Sequence, residues 1–538
     1  MSGAHASEAI LPSGWEYPRL VEIARVNPAR NTTLSDEDHV NFVPMRAVAP
    51  EGGGLVDPEV RLYREVKKGY TSFQAGDVIS AKITPCMENG KTAVVPALAV
   101  SGFFGSTEFH VVRPEKGIDP RWLSRFLLQQ MVRREAQRAM SGAVGQMRVP
   151  GSFIENLRVP LAPSAEQIRV ADAIDELSSD LEAAVNALER VRAKLKKYRA
   201  TVLKAAVEGD LTAQWRMEHP DLATGSELLK RILAERRRHW EEDQLGKFKE
   251  KGQEPPKNWS AKYKEPVAPD TANLPSLPEG WCWATLDQIG DTQGGLQKTP
   301  GRSPVRNHFP YLRVANVHRG QLDLREMHRF EVSDEELRRL RLQRGDILIV
   351  EGNGSHTEIG RCAIWRGELE NCIHQNHIIR VRPFAGIVAE FVDFFLNSPD
   401  GQSAIQRVAS STSGLYTLSV TKIEKLPVPL ATSIEQEAIV EAVDDHLSLI
   451  DHLERDVDAK VISSLALRQA ISRNAFAGKL VPQDPNDKPA SELLKRIAAE
   501  RTARMPIERN GKIRRSRRVA GAKIRKGDVA SPTESRED

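Results

Sequence analysis

The string MENGKTAVV, Met87 to Val95, carries the Gly-Lys-Thr of a phosphate-binding loop. Such a loop cradles phosphate with successive backbone N–H groups and needs a glycine five residues before the Gly of Gly-Lys-Thr. Pro85 stands there. Proline has no N–H to donate, so the string does not encode a nucleotide site. A second cluster, CAIWRGELENCIHQNHIIR, holds Cys362, Cys372, His374 and His377. Zinc ligands favour Cys-x-x-Cys or similarly tight His spacing. Cys372 and His374, two apart, would share one face of a strand, which leaves a site open, although ordinary strand residues are the expected reading. The chain has no Gly-x-Ser-x-Gly elbow, no His-Glu-x-x-His, and no Asn- or Asp-Pro-Pro-aromatic string for base methylation; Asn27-Pro28 stops short of the last. No catalytic residue and no metal ligand is therefore expected.

Composition narrows the class. The 538 residues suggest three or four domains, and 28% of them are charged. Mean hydropathy is −0.43, and no apolar run approaches the roughly 20 residues that span a bilayer. The opening MSGAHASEAILPSGW lacks the basic start and apolar stretch of a secretory signal. The four cysteines, with no Cys-x-x-Cys pair, suit a reducing, cytoplasmic setting. The formal charge of +4 is unevenly spread: residues 503–526 hold ten Lys or Arg against Glu508, a local +9. Residues 15–156 hold 18 bases and 16 acids. Any nucleic acid would meet local patches rather than a uniformly basic body.

What organises the chain is repetition. SELLKRILAER at Ser226 returns as SELLKRIAAER at Ser491, ten of eleven residues identical. LRVPLAPSAEQ at Leu157 returns as LPVPLATSIEQ at Leu426, eight of eleven identical, at an offset of 269. At that offset GDVIS (Gly76) meets GDILI (Gly345), VVRP (Val111) meets RVRP (Arg380), and Gly209 meets Gly478, while LPSGW at Leu11 recurs as LPEGW at Leu277. One order of landmarks at one offset is a tandem duplication of a unit of about 270 residues, too long for a solenoid repeat.

Each unit begins with short β-rich runs and Gly/Pro turns interrupted by two helical stretches, so the fold class is α+β with two globular domains. Arg133, Arg134 and Arg138 fall in the first domain's helical stretch, as a solvated face or phosphate contact. A long helix follows. After Ser164, Glu166 and Gln167, which offer capping groups, apolar or small residues recur at a 3,4 spacing: Ile174, Leu177, Leu181, Ala184, Leu188, Val191, Leu195, Tyr198 and Val202. In the second copy Val443, Ile450, Leu453, Val457, Leu467 and Ile471 keep the register, while His446, Lys460 and Ser464 break it. The helix-pair interface is thus expected at Ile174, Leu177, Leu181, Leu188, Val191 and Leu195 against Val443, Ile450 and Val457. Residues 166–189 hold seven acids and one base, and 190–204 seven bases and no acid; 435–458 hold nine acids and one base, and 460–479 four bases and no acid. Antiparallel pairing sets each acidic half beside a basic half; the alternative is that each helix complements its own macrodipole. An antiparallel pair would separate the globular domains along a rod with pseudo-two-fold symmetry. The expected segments are 1–160 and 281–430 globular, 161–240 and 431–502 helical, 241–280 a Pro/Lys-rich extended linker, and 503–538 a basic disordered tail.

Two variable globular units, each followed by PLAxSxEQ, a long helix and SELLKR, together with EPPKNWSAKYKEP before LPEGW, resemble the specificity subunit of type I restriction-modification enzymes. The likeness spans about 11–500. It implies that the globular units are target recognition domains, each contacting half of an asymmetric bipartite site on double-stranded DNA. The helices would then dock methyltransferase (modification) subunits and restriction/translocase subunits. It implies no catalysis and no cofactor in this chain, S-adenosylmethionine, ATP and Mg being held by the partners. DNA contacts are expected in loops around the landmarks: Lys82, Lys91 and Arg148 in the first domain; Arg313, Asn316, Arg361, Gln375, Asn376 and Tyr416 in the second. Arg and Lys suit guanine or phosphate, and Asn and Gln suit adenine. Two other readings stay open, a coiled-coil adaptor with two protein-binding heads and a diverged DNA methyltransferase or nuclease.

Overall fold

The computed structural model describes residues 11–30, 33–100, 102–143, 145–297, 299–412 and 414–516. It divides into two compact units: unit 1 joins the chain up to Ala187 with the chain from Lys460 onward, and unit 2 is Leu188–Ala459.

In unit 1 the strands are β1 (Ala24–Val26), β2 (His39–Val43), β3 (Glu59–Leu62), β4 (Thr71–Phe73), β5 (Val78–Ala81), β6 (Thr92–Val94), β7 (Phe103–Gly105) and β8 (Phe109–Pro114). They form two sheets, β1-β8-β5-β6 and β3-β2-β7-β4. β5 and β8 are short apolar runs because the middle of the first sheet is covered; Val78, Ile79, Val111 and Val112 are 1% exposed or less. The turn into β5 buries Asp77, which accepts from Arg113 Nε and Nη2 at 2.7 Å each. A buried carboxylate needs such a partner.

Unit 2 repeats this frame. Its strands are β9 (Cys282–Thr285), β10 (Gly290–Gly294), β11 (His308–Leu312), β12 (Val317–His318), β13 (Gln321–Leu322), β14 (His328–Glu331), β15 (Ile347–Val350), β16 (Gly352–Asn353), β17 (Cys362–Ile364), β18 (Ile373–His374), β19 (Ile378–Pro383), β20 (Ser410–Thr412), β21 (Leu415–Thr417) and β22 (Pro427–Leu430). The order β10-β19-β15-β17 copies β1-β8-β5-β6, and β14-β11-β18 copies β3-β2-β7. Even the parallel pair is kept: β2 with β7, and β11 with β18. Asp346 takes Arg382 Nε at 2.6 Å and Nη2 at 2.7 Å, in the place of Asp77 and Arg113.

The PLAxSxEQ phrase proves to be a lock rather than a simple cap. Ser164 Oγ donates to Gly117 O at 2.8 Å, Gln167 Oε1 accepts from Asp119 N at 3.0 Å, and Trp15 Nε1 donates to Glu166 at 3.0 Å. The second copy does the same with Ser433 on Gly386 O (2.7 Å), Gln436 on Val388 N (2.8 Å), and Trp281 on Glu435 (2.9 Å). Each long helix, Ser164–Val207 and Ser433–Phe476, therefore starts pinned to its own globular domain.

The SELLKR helices are exchanged. The first, Gly225–Glu250, docks on the second globular domain: Leu228 and Ile232 join the core of Ile347, Val381 and Phe395. Arg236 donates to the backbone oxygen and carboxylate of Asp287. The second, Ala490–Ser516, returns to the first domain: Leu493 and Ile497 pack with Trp122 and Leu123, and Arg501 donates to Val21 O at 2.6 Å.

Antiparallel packing is visible inside each unit. In unit 1, Ile174 near the start of the first long helix shares a core with Ile471 and Phe476 near the end of the second. In unit 2, Val202, Leu203 and Ala206 pack with Ile439 and Val443. The charge pattern is realised in unit 2, where Arg192 pairs with Asp458 and Arg199 with Asp451 and Glu454. Unit 1 differs: Asp172 and Asp175 pair with Arg121 and Arg125 of the globular domain. The interface residues fall into three groups. Ile174, Leu195, Val443, Ile450 and Val457 are 8% exposed or less. Leu181 and Leu188 are half-buried. Leu177 and Val191 are 39% and 42% exposed, off the buried seam, because a 3.6-residue helix drifts about 20° per heptad from a 3.5-residue stripe.

The stretch expected as an extended linker is instead tied down. Trp259 stacks on Trp240 at 6.0 Å, Tyr263 lies 5.3 Å from Trp240, and Thr285 Oγ1 donates to Val267 O at 2.8 Å. At the other end, helix continues to Ser516 into the stretch expected as a tail, and residues 517–538 lie outside the described residues. Among the described residues no helix is long and apolar enough to cross a membrane.

Candidate nucleic-acid interface

In unit 1 the β5–β6 connection, 82–91, lies beside a hairpin spanning 141–148. Ser141 and Arg148 exchange backbone hydrogen bonds at 2.8 and 3.0 Å, Thr84 N donates to Met147 O at 3.1 Å, and Val149 N donates to Lys82 O at 2.8 Å. In unit 2 the β15–β17 connection, 351–361, lies beside the β20–β21 hairpin. β16 pairs with β21, and Leu418 N donates to Glu351 O at 2.8 Å. Offset 269 maps Ile83–Arg148 onto Gly352–Thr417 and Val149–Lys82 onto Leu418–Glu351. The two domains thus hold one pair of loops in one way, with different side chains on them: TPCMENG and SGAVGQM against GNGSHTEIG and SSTSGLY.

The expected contact residues divide by what their polar atoms already do. Arg148 is spoken for: its Nη2 lies 2.7 Å from Glu108, whose carboxyl this guanidinium holds below the usual range. Lys91 Nζ donates to Met45 O at 3.0 Å. Asn316 is 3% exposed; its amide donates to Asp323 O and Glu326 O at 2.8 and 3.1 Å, and its oxygen accepts from Arg313 N at 2.8 Å. Arg361 donates to Val317 O and Val314 O at 2.6 and 2.9 Å, and burial lowers its pKa. Arg313 Nη2 reaches Glu326 at 3.8 Å.

Others keep side-chain donors or acceptors available. Gln375 and Asn376 are pinned through backbone N–H groups to Leu312 O and Leu296 O at 2.9 and 3.0 Å. Both side chains are half-buried. Lys82 is half-buried beside Glu108. Tyr416, on β21, meets the ring of His356 edge-on at 5.0 Å. His356 is exposed and was not among the expected residues; carrying the offset of 269 from 82–91 to 351–360 would have pointed to its loop.

The Cys/His cluster does not converge. Cys362 Sγ lies 3.4 Å from Asp393, Cys372 is buried with its sulfur toward Ile373 O at 3.6 Å, and His377 pairs with Glu351 at 3.1 Å. Among the described residues no three His, Cys, Asp or Glu side chains gather as a metal ion would require.

Comparison with known proteins bears on the frame as a whole. Residues 12–190 match the family model described as the type I restriction modification DNA specificity domain. The chain is 28% identical over 518 residues to the specificity subunit of the Escherichia coli type I restriction enzyme EcoEI, covering 87% of this chain and 83% of that one. It is 25% identical over 520 residues to the EcoKI specificity subunit of Escherichia coli K12, covering 92% and 97%. A solved chain, from a structure on complex assembly and conformational transition of the type I R-M system, shares the fold with a TM-score of 0.58 at 19% identity, covering 87% and 99%. The twice-built frame and these alignments agree: over most of its length the chain is similar to the specificity subunits of type I restriction enzymes.

Proposed function

We propose that this chain supplies the DNA sequence specificity of a type I restriction-modification complex. Each globular domain reads one half of a bipartite site, and chemistry is left to methyltransferase and restriction subunits that bring S-adenosylmethionine, ATP and Mg. The observation that carries this reading is the loop pair: an equivalent backbone frame presents different side chains in each domain, which is what reading two different half-sites requires. Lys82, Gln375, Asn376, Tyr416 and His356 are the side chains best placed to meet base edges. Arg148, Asn316 and Arg361 shape the loops that carry them. The helices supply a docking surface for partner subunits: Ile462, Leu465 and Leu467 are 68%, 59% and 52% exposed, more apolar surface than a helix facing water alone would keep.

Co-expression with the cognate methyltransferase subunit, followed by single-molecule mapping of methylated adenines, should yield one bipartite, asymmetric motif. Gln375→Ala with Asn376→Ala should relax one half of it and leave the other intact. Methylation by the purified chain alone would defeat the division of labour.

A further inference from the structure

Residues 334–344, DEELRRLRLQR, join β14 to β15 and alternate two kinds of residue. Leu340 and Leu342 are 2% and 6% exposed, and Leu337 packs beside Leu340. Between these anchors Arg338, Arg339, Arg341 and Arg344 are all exposed. Several other arginines of the domain are held, Arg302 by Glu336, Arg325 by Asp323 and Arg382 by Asp346. The four here make no ion pair among the described residues. Of the nearby acids, Glu336 pairs with Arg302 and caps its helix through Ser333, Asp334 accepts from Asn307 at 3.1 Å and Asp346 holds Arg382, while Glu335 is exposed on the same helix as Arg338 and Arg339 without an ion pair to either.

A basic last turn complements the dipole of the helix Asp334–Leu340, which accounts for Arg338 and Arg339. Arg341 and Arg344 lie beyond that helix and are not explained so. The duplication supplies a control, because at offset 269 the first domain carries Gly69, Tyr70, Ser72 and Ala75 in their places. That connection in the first domain has basic residues of its own, but Arg64 and Lys67 are paired with Glu37 and Asp36, which leaves Lys68 exposed there against four arginines in the second domain.

We infer that Arg338, Arg339, Arg341 and Arg344 form a phosphate-binding patch through which the second domain grips the backbone of duplex DNA. The inference rests on the proposed function above. The patch precedes the first residue of β15 and the loop 351–361 follows its last, so the two sit at opposite ends of a four-residue strand. At about 3.3 Å per residue that is on the order of 13 Å, or roughly four base pairs along a duplex. Guanidinium groups so placed neutralise phosphates and position the duplex while side chains at the far end of the strand read it.

The test uses the full chain in complex with its methyltransferase partner, titrated against site-containing and site-free duplexes across a salt series. Arg338→Gln, Arg339→Gln, Arg341→Gln and Arg344→Gln combined should make the slope of log affinity against log salt shallower by up to about 3.6, since each lost phosphate contact removes about 0.9. Both duplexes should show the same loss, the four-lysine variant should keep the slope, and the methylated sequence should not change. An unchanged slope in the glutamine variant, with the parent complex still binding the duplex, overturns the patch and leaves the proposed function standing. An altered methylated sequence, or lost partner assembly at unchanged slope, also overturns it by making the patch a base reader or a protein dock. A parent complex that binds no duplex defeats both readings together.

Discussion

Asp393 is 6% exposed and lies 3.4 Å from Cys362 Sγ and 3.0 Å from Asn397 Nδ2. Burial pushes its carboxyl up to about 7 against the two hydrogen bonds that favour the charged form. An unfolded aspartate titrates near 4, so the folded chain binds this proton more tightly. The group's contribution to stability is complete below about pH 4 and is lost as pH rises towards 7. His374, pushed down to about 4 by burial and by Arg380, has the opposite sign: its contribution is present above about 6.5 and lost as pH falls. Asp393→Asn should therefore lose less stability than the parent between pH 5 and 7.5 in denaturant unfolding, His374 being common to both. Equal losses would show Asp393 to be ionised throughout. The same property, what a polar atom already touches, limited how far the candidate site could be read from sequence. Asn316 and Arg361 have the right types for base recognition, yet their donors satisfy the carbonyls of 314–326. Residue type announces a donor; whether a neighbouring carbonyl has claimed it is decided by the fold.

The elements that matter most are the exchanged helices, and glycine makes the exchange possible. Gly386 has φ of 90°, and a Cβ there would stand 3.0 Å from Leu228 Cδ1, 3.3 Å from Ser433 Oγ and 3.4 Å from Arg231 Nη2. Gly386→Ala should add backbone strain of roughly 1–3 kcal/mol and lift the helix Gly225–Glu250 from its seat. Hydrogen exchange should then speed up in that helix while 490–502, docked at Gly117 on the other domain, is unaffected. Gly320→Ala provides the contrast: φ is 73° with open space around the Cβ position, so strain comes without dislodging the helix. Unchanged exchange over 225–250 in Gly386→Ala would mean that the close approach does not hold it. Periodicity and capping residues made both long helices legible in sequence, and their charge halves foretold Arg192–Asp458 and Arg199–Asp451. At 31–59% side-chain exposure the Arg199–Asp451 pair selects an orientation more than it stabilises one. The anchoring of 251–280 was not legible, because Trp259 and Tyr263 stand alone in a Pro/Lys-rich string and the surface they cover, made by Arg237, Trp240 and Phe248, belongs to the preceding helix.

At the scale of the molecule the duplication was plain from sequence, but its consequence was not: each globular domain is completed by the SELLKR helix of the other repeat. Leu228 and Arg236 serve the second domain, Leu493 and Arg501 the first, and SELLKRILAER and SELLKRIAAER differ at one position of eleven. A seat that nearly identical helices fill on both sides should accept either domain. The lock residues agree, since Gly117 and Gly386, Trp15 and Trp281, and Gln167 and Gln436 do equivalent work. Replacing 281–429 by a second copy of 15–160 should therefore fold, and with the methyltransferase partner it should methylate a site made of the first half-site twice. The reciprocal chain, with 281–429 in both places, should carry the second half-site twice and, with both arginine patches, the steeper salt dependence. Mapping methylated adenines for the two chains decides the matter. Folded, active chains whose motifs still contain both parental half-sites would mean that sequence is read jointly, by more than the globular domain that was exchanged.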